Sequence, residues 1–284
     1  MKKTKEEKKF EYYRHELDIV YPERSDEHMI TVKHLRDTNF DENYQYLPKG
    51  AWHRFTRGVL RVLCYLLAFP ICTIRHGLKI YGRDKLKKYK KEFKDGAITI
   101  ANHVFMWDYL CIMKAIRPRL QYHPGWKTNF EGPNAFFIRW VGGIPIPTDN
   151  VRAMAKFQMA IGEVLKNKQW LHFFPEGSLW FYYPDIRPLK KAVFKYAVRF
   201  NKPVIPITLS FRKRRGLWKL FGKSPLVDLH IGDPIFPDKS IPFNDAIDAL
   251  HAEAYKVMQR MNGINPGDAT YNEDQDIDNY KKTM

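Results

Sequence analysis

The sequence predicts an α/β fold: a central, mostly parallel or mixed sheet flanked by helices, with an N-terminal membrane-associating helical segment. Three observations predict it. From residue 78 onward, short apolar runs alternate with amphipathic stretches, the pattern of strand and helix taken in turn. Residues 51–77 instead hold a continuous apolar stretch set between arginines. The chain has 284 residues, enough for one large domain with a substantial core. Its three cysteines are too few for a disulfide framework and lack paired zinc-ligand spacing.

Residues 1–50 read as a polar, aromatic-bearing arm of weak periodicity, extended or partly ordered, with room for a short helix. It begins Met1, Lys2, Lys3 and contains no apolar run of the secretory-signal kind. Residues 51–77 form the membrane-associating segment. Leu63 to Ile74 is almost wholly apolar, flanked by His53, Arg54, Arg57 and Arg61 before it and by Arg75 and His76 after it. A transmembrane helix needs about 20 apolar residues, and extending this run back to Gly58 takes in Arg61. Three readings stand: an interfacial or half-inserted helix, a tilted span with a snorkelling arginine, or a buried core helix. The arginine and aromatic flanks favour the first.

Residues 78–262 carry the α/β domain. Ala97 to Ala101 is a short buried strand, and Asp108 to Ile116 a helix with Leu110, Ile112, Met113 and Ile116 apolar. Gly142 to Pro147 is a turn with an edge-like strand, because its prolines deny it ladder hydrogen bonds. Asp149 or Asn150 caps a helix running to about Lys166. Trp170 to Phe174 is a strand that stops at Pro175-Glu176-Gly177. Lys190 to Phe200 is a helix; Val204 to Leu209 and Val227 to Ile231 are strands. Asn244 to Met261 is an amphipathic helix, with Ile247, Leu250, Ala254, Val257 and Met261 at spacings of three and four. The acidic tail, residues 263–284, reads as disordered.

The 48 Lys and Arg outnumber the 31 Asp and Glu, a net charge of +17. Such a surplus suits nucleic acid, an anionic leaflet or a phosphorylated substrate. No nucleic-acid-binding motif accompanies it, so nucleic acid is set aside. Arg212-Lys213-Arg214-Arg215, followed by Leu217, Trp218, Leu220 and Phe221, reads either as a solvated turn or as a patch resting on an anionic leaflet.

Candidate chemistry sits at two strand ends. His103 and Asp108 lie five positions apart, between a buried strand and a helix. An aspartate accepting from imidazole Nδ1 would fix the tautomer and leave Nε2 as a base. No nearby Ser or Cys has a nucleophile-elbow context, so the hydroxyl to be deprotonated would belong to a substrate. The same spacing also fits a helix-cap aspartate beside an ordinary strand-end histidine. After the second strand, Phe173-Phe174-Pro175-Glu176-Gly177-Ser178 makes a tight turn with one carboxylate and several backbone N–H groups. It too fits an ordinary strand exit. Cys64 and Cys72 read as packing or lipid-facing residues, Cys111 as core and His172 as structural.

Taken together, Asn102-His103-(four residues)-Asp108 and Phe174-Pro175-Glu176-Gly177-Ser178 resemble the glycerolipid acyltransferase family, the 1-acyl-glycerol-3-phosphate and lysophospholipid acyltransferases. Gly143-Ile144-Pro145-Ile146 and Val204-Ile205-Pro206-Ile207 resemble its second and fourth blocks, and the likeness spans roughly residues 80–235. The resemblance implies transfer of a fatty acyl group from acyl-CoA or acyl-carrier protein to a lysophospholipid hydroxyl, with no cofactor and no metal. It implies His103 as base, Asp108 as its orienter, and Asn102, Glu176, Gly177 and Ser178 as acceptor-binding or turn residues. Lys127, Lys190 and Lys191 match the family's basic positions as phosphate or donor contacts. Two departures stand out. Pro147-Thr148-Asp149 follows the second block where the family carries a phosphate-binding arginine, making Arg152 the nearest substitute. Ser178-Leu179-Trp180 replaces the usual Ser/Thr-Arg, making Arg187 the next basic residue. The implied acceptor is 1-acyl-glycerol-3-phosphate, giving phosphatidate, with glycerol 3-phosphate, another lysolipid or an amino-lipid as alternatives. The implied place of work is the cytoplasmic face of a membrane. A non-catalytic lipid-binding protein on the same fold is the alternative from another class.

Overall fold

The structure, a computed structural model, describes residues 17–263. The acidic tail, apart from its first residue, and the start of the arm lie outside the described residues. Seven strands form one sheet: β1 (Lys79–Tyr81), β2 (Ile98–Ala101), β3 (Gln121–Trp126), β4 (Gly143–Ile146), β5 (Trp170–Phe173), β6 (Val204–Arg212) and β7 (Leu226–Ile231), in the order β1-β7-β6-β2-β5-β3-β4. Every neighbouring pair is parallel except β6 and β7. The sheet is thus mixed, as expected.

Eight α-helical segments accompany it: α1 (Ala51–Leu63), α2 (Phe69–Ile74), α3 (Lys85–Lys88), α4 (Asp108–Ile116), α5 (Ala135–Trp140), α6 (Val151–Lys166), α7 (Ala192–Phe200) and α8 (Phe243–Met261). On one face of the sheet, Ile98, Ile100 and Leu171 pack against α6, α7 and α8 through Phe157, Ile161, Phe194 and Leu250. On the other, Ile205, Ile207 and Leu229 pack with Cys111, Ile112 and Ile116 of α4. All four residues of β2 are buried, because both faces of this central strand are covered.

The sequence reading of α4 and β4 matches the structure. Asn150 caps α6, its side chain accepting from the N–H groups of Arg152 and Ala153. Two strands were not anticipated. β1 is a three-residue edge strand that opens with an exposed lysine, too short for a periodic signal. β3 reads Gln-Tyr-His-Pro-Gly-Trp, and Pro124-Gly125 signals a turn. The strand tolerates Pro124 because the backbone alternates. His123 N–H donates toward β4, to Gly142 O at 2.9 Å. The next residue therefore faces its missing donor toward β5, where pairing already stops at Tyr122.

α1 continues through a π-helical turn, Cys64–Ala68, into α2, giving 24 helical residues that end at Ile74. By length and composition this helix is apolar enough to associate with a membrane. Pro70 follows directly on the π-helical turn, where the hydrogen-bond ladder has already shifted and Phe69 N donates to Cys64 O. The described part of the arm forms no helix or strand, yet it is packed. Phe40 and Tyr46 are buried, and Arg139 of α5 donates to Tyr46 O at 2.7 Å.

Candidate active site

β2 delivers its C-terminal end to the loop that carries His103, and Asn102 fixes the exit. Its Nδ2 donates to Leu209 O at 2.9 Å, and its Oδ1 accepts from Leu209 N at 2.8 Å. The side chain so extends the β2–β6 ladder by one rung, which holds the following residue on a rigid base. Asn102 is fully buried and serves the scaffold.

His103 Nδ1 lies 2.6 Å from Asp108 Oδ2. Asp108 is buried in the first turn of α4, and its other oxygen accepts from Tyr109 N. The imidazole stacks on Phe174 at 4.0 Å and 15°, so the ring plane is set by an aromatic at the end of the neighbouring strand β5. With its side chain 25% exposed, the ring reaches solvent while the aspartate beneath it does not.

Glu176 is fully enclosed and uses both carboxylate oxygens. Oε2 accepts from His103 N at 2.9 Å and from Arg187 Nη2 at 2.7 Å; Oε1 accepts from Arg187 N at 3.0 Å. Glu176 therefore braces the histidine loop from below. Arg187, 2% exposed in its side chain, neutralises it in a buried ion pair. Gly177 has φ +83, and a Cβ there would meet the end of the Lys190 side chain at 2.7 Å. The positive φ demands glycine, while the end of the Lys190 side chain could move aside. Two further bonds clamp the loop: Trp180 N donates to His103 O at 3.0 Å and Tyr182 N to Val104 O at 2.7 Å.

The arm closes over this network, which sequence reasoning missed. Ser178 Oγ and Arg187 Nη1 both donate to Ser25 O at 2.8 Å. Trp180 Nε1 donates to Glu27 O at 2.9 Å, and Tyr21 OH to Phe181 O at 3.0 Å. His28 stacks on Trp126 at 4.2 Å, beyond the end of β3 pairing with β5. Ser178 is fully buried by these contacts and acts as a turn residue.

The structure thus brings His103, Asp108, Glu176, Gly177, Ser178, Arg187 and Lys190 together. Three other sequence-derived candidates point elsewhere. Lys127 pairs with Asp149, the exposed Arg152 lies 3.8 Å from Glu42, and Lys191 lies 3.2 Å from Asp248 of α8. Arg187 reaches the site but stays enclosed behind the glutamate.

Beneath His103 the sheet buries two more histidines. His172 bonds Thr99 Oγ1 through Nδ1 at 2.8 Å, and His123 lies against the Tyr109 ring at 3.8 Å. Burial, aided by the charges of Arg57 and His103, pushes His123 down to about 3. Burial, with the charges of His123 and His103, holds His172 well below the ordinary histidine range. On β7, burial and the charge of Lys85 lower His230 to about 4. These rings stay neutral in the folded protein and titrate near 6.5 once unfolded. The unfolded chain then binds more protons, so stability falls as pH drops from about 6.5 toward 4. We expect the urea midpoint to be lower at pH 5 than at pH 7. Equal midpoints would contradict this burial.

Residues 77–210 match the family model described as Acyltransferase. The matched segment covers just under half of the chain. It holds every residue of the site except those of the arm, and it excludes α1, α2, β7 and α8. The matched segment is thus extended on both sides by elements of this chain. Among solved structures, the chain is similar to the 1-acyl-sn-glycerophosphate (LPA) acyltransferase PlsC from Thermotoga maritima. Identity is 18%, coverage 74% of this chain and 97% of that one, and the TM-score 0.41. The comparison with curated protein sequences gave no match.

Proposed function

We propose that the protein transfers a fatty acyl group from acyl-CoA or acyl-carrier protein to the hydroxyl of a lysophospholipid, 1-acyl-glycerol-3-phosphate, giving phosphatidate. The observation that carries this reading is the 2.6 Å contact of His103 Nδ1 with Asp108 Oδ2, set on a ring whose edge reaches solvent. With Nδ1 protonated toward the aspartate, Nε2 is the basic nitrogen. It takes the proton of the acceptor hydroxyl as that oxygen attacks the thioester carbonyl. Asp108 stabilises the imidazolium that forms. The tetrahedral intermediate collapses, the carbon–sulfur bond breaks, and the thiolate leaves; the proton held on His103 returns to it. The chemistry asks for no cofactor and no metal. Lys190, over Gly177, is the cation we assign to the acceptor phosphate, because Arg187 is consumed by Glu176. We place the enzyme at the cytoplasmic face of a membrane, where both thioester donors and the acceptor meet.

Thiol release tests the reading. Purified protein would be offered lysophosphatidate, glycerol 3-phosphate, lysophosphatidylcholine and an amino-lipid, each with acyl-CoA and with acyl-carrier protein. We expect the highest kcat/KM with lysophosphatidate. Preference for another acceptor would overturn the substrate assignment. Absence of acceptor-dependent release in all arms would favour a non-catalytic lipid-binding protein.

A further inference from the structure

The long N-terminal helix lies along the domain from end to end. His53, near its start, rests against Trp140 at 4.8 Å. Cys64 and Phe69, in its middle, are buried with Met113 and Val141. Cys72, near its end, is fully buried in the core beside α4. Polar ties run along the same side: Arg61 Nη2 donates to Pro118 O at 2.6 Å, and Lys114 Nζ to Phe69 O at 2.8 Å. A helix of this length would cover about 36 Å at 1.5 Å per residue. If it crossed a bilayer, the domain packed against its whole length would have to enter the hydrocarbon with it.

The opposite side of the helix is apolar and uncovered. Trp52, Phe55, Val59, Val62, Leu66 and Ile71 are exposed there. Beside its C-terminal end stands the turn Gly216–Phe221 between β6 and β7. Leu217, Leu220 and Phe221 are 78%, 80% and 48% exposed. A groove lined by Pro70, Ile71, Ile74, Arg75, Leu220 and Phe221 joins the turn to the helix. Gly216 (φ +56) and Gly222 (φ +130) bracket the turn, and a Cβ at either would meet nothing within 4 Å, so both ends of the turn stand in open space. Neither residues 51–77 nor residues 211–223 contain an Asp or Glu. The exposed cations Arg54, Arg75, Arg215, Lys219 and Lys223 rim this surface.

We infer that the helix and the Gly216–Phe221 turn form one footprint on an anionic bilayer leaflet. The helix lies in the plane of the interface, and the turn inserts Leu217, Leu220 and Phe221 as a second contact. Charge decides the occupant: two acid-free, cation-rimmed segments flank one apolar face, which suits anionic lipid headgroups above acyl chains. The inference deepens the membrane-surface reading above and rests on it.

Two measurements on the full chain, with vesicles of phosphatidylcholine alone or mixed with phosphatidylglycerol, test it without any turnover. In the first, nitroxide labels at Val62→Cys and Leu220→Cys report depth by oxygen and nickel accessibility. Both should sit at similar shallow depth in the anionic vesicles. A Val62 label at the bilayer centre, or a Leu220 label left in water, would overturn the inference. In the second, the triple variant Leu217→Glu, Leu220→Glu, Phe221→Glu should bind anionic vesicles about tenfold or more weakly. Circular dichroism would check its fold, and thiol release with a short-chain soluble acceptor its catalytic state. Undiminished binding by a folded triple variant, or a vesicle-free dimer that buries this face, would overturn it. Loss of turnover with unchanged depths would instead count against the acyl-transfer reading and leave the footprint standing.

Discussion

His103→Ala should lower kcat for acyl transfer by about 10²–10⁴-fold, the span that a positioned general base contributes. The imidazole is held by three independent restraints. Asp108 Oδ2 fixes Nδ1, the Phe174 ring fixes the plane, and Glu176 fixes the backbone N–H. The ring reaches solvent, so water can enter its place and take over the bond to Asp108 Oδ2. The substitution should therefore leave thermal unfolding and vesicle binding near their wild-type values. Asp108→Asn offers a matched test. An asparagine can present its amide to Nδ1 and favour the wrong tautomer, so kcat should drop by a comparable factor with KM little changed. Thiol release and a melting curve on each variant decide the matter. Near-normal turnover by His103→Ala would remove it as the base.

Arg187→Met should be the most destabilising single change in the site. It leaves the enclosed Glu176 carboxylate without its counter-charge, and breaking a buried pair from one side costs about 3–5 kcal/mol. For a domain of this size each kcal/mol moves Tm by about 2–4 °C, so a fall on the order of 10 °C is expected. Activity should fall too, because Glu176 Oε2 also holds His103 N. The double variant Glu176→Gln, Arg187→Met removes the stranded charge and should recover much of the stability. It should not recover full turnover, because the charge-assisted bond to the histidine loop is gone. Calorimetry and kinetics on the three proteins separate the two effects. A single variant as stable as wild type would show that the pair does not hold the loop.

The contact between His103 and Asp108 was legible in the sequence because its parts are local. His103 and Asp108 are separated by one strand exit and one helix start, so a short spacing could stand in for a distance. Edge strand β4 was legible through its prolines, and α6 through its asparagine cap. β3 was not, because Pro124-Gly125 is a turn signal unless the register of both neighbouring strands is known. Arg187 could be named but not placed, since an irregular loop separates it from Glu176. The arm was legible as an arm, but its grip on the site left no trace. It grips the site through the carbonyls of Ser25 and Glu27, groups that every residue possesses, so no side-chain pattern marks them.

That grip sets an order of assembly during synthesis. The contacts of Tyr21, Ser25 and Glu27 with residues 178–187 join positions 153 to 162 apart. The arm leaves the ribosome first and has nothing to hold until Arg187 follows. At about 5–20 residues per second that delay is roughly ten to thirty seconds. The apolar helix at 51–74 is complete long before then, while the site is unfinished. The apolar helix is thus finished before the site is braced. The last stitch, made by the arm, closes the carboxylate brace under His103 only when β5 and the segment beyond it are in place.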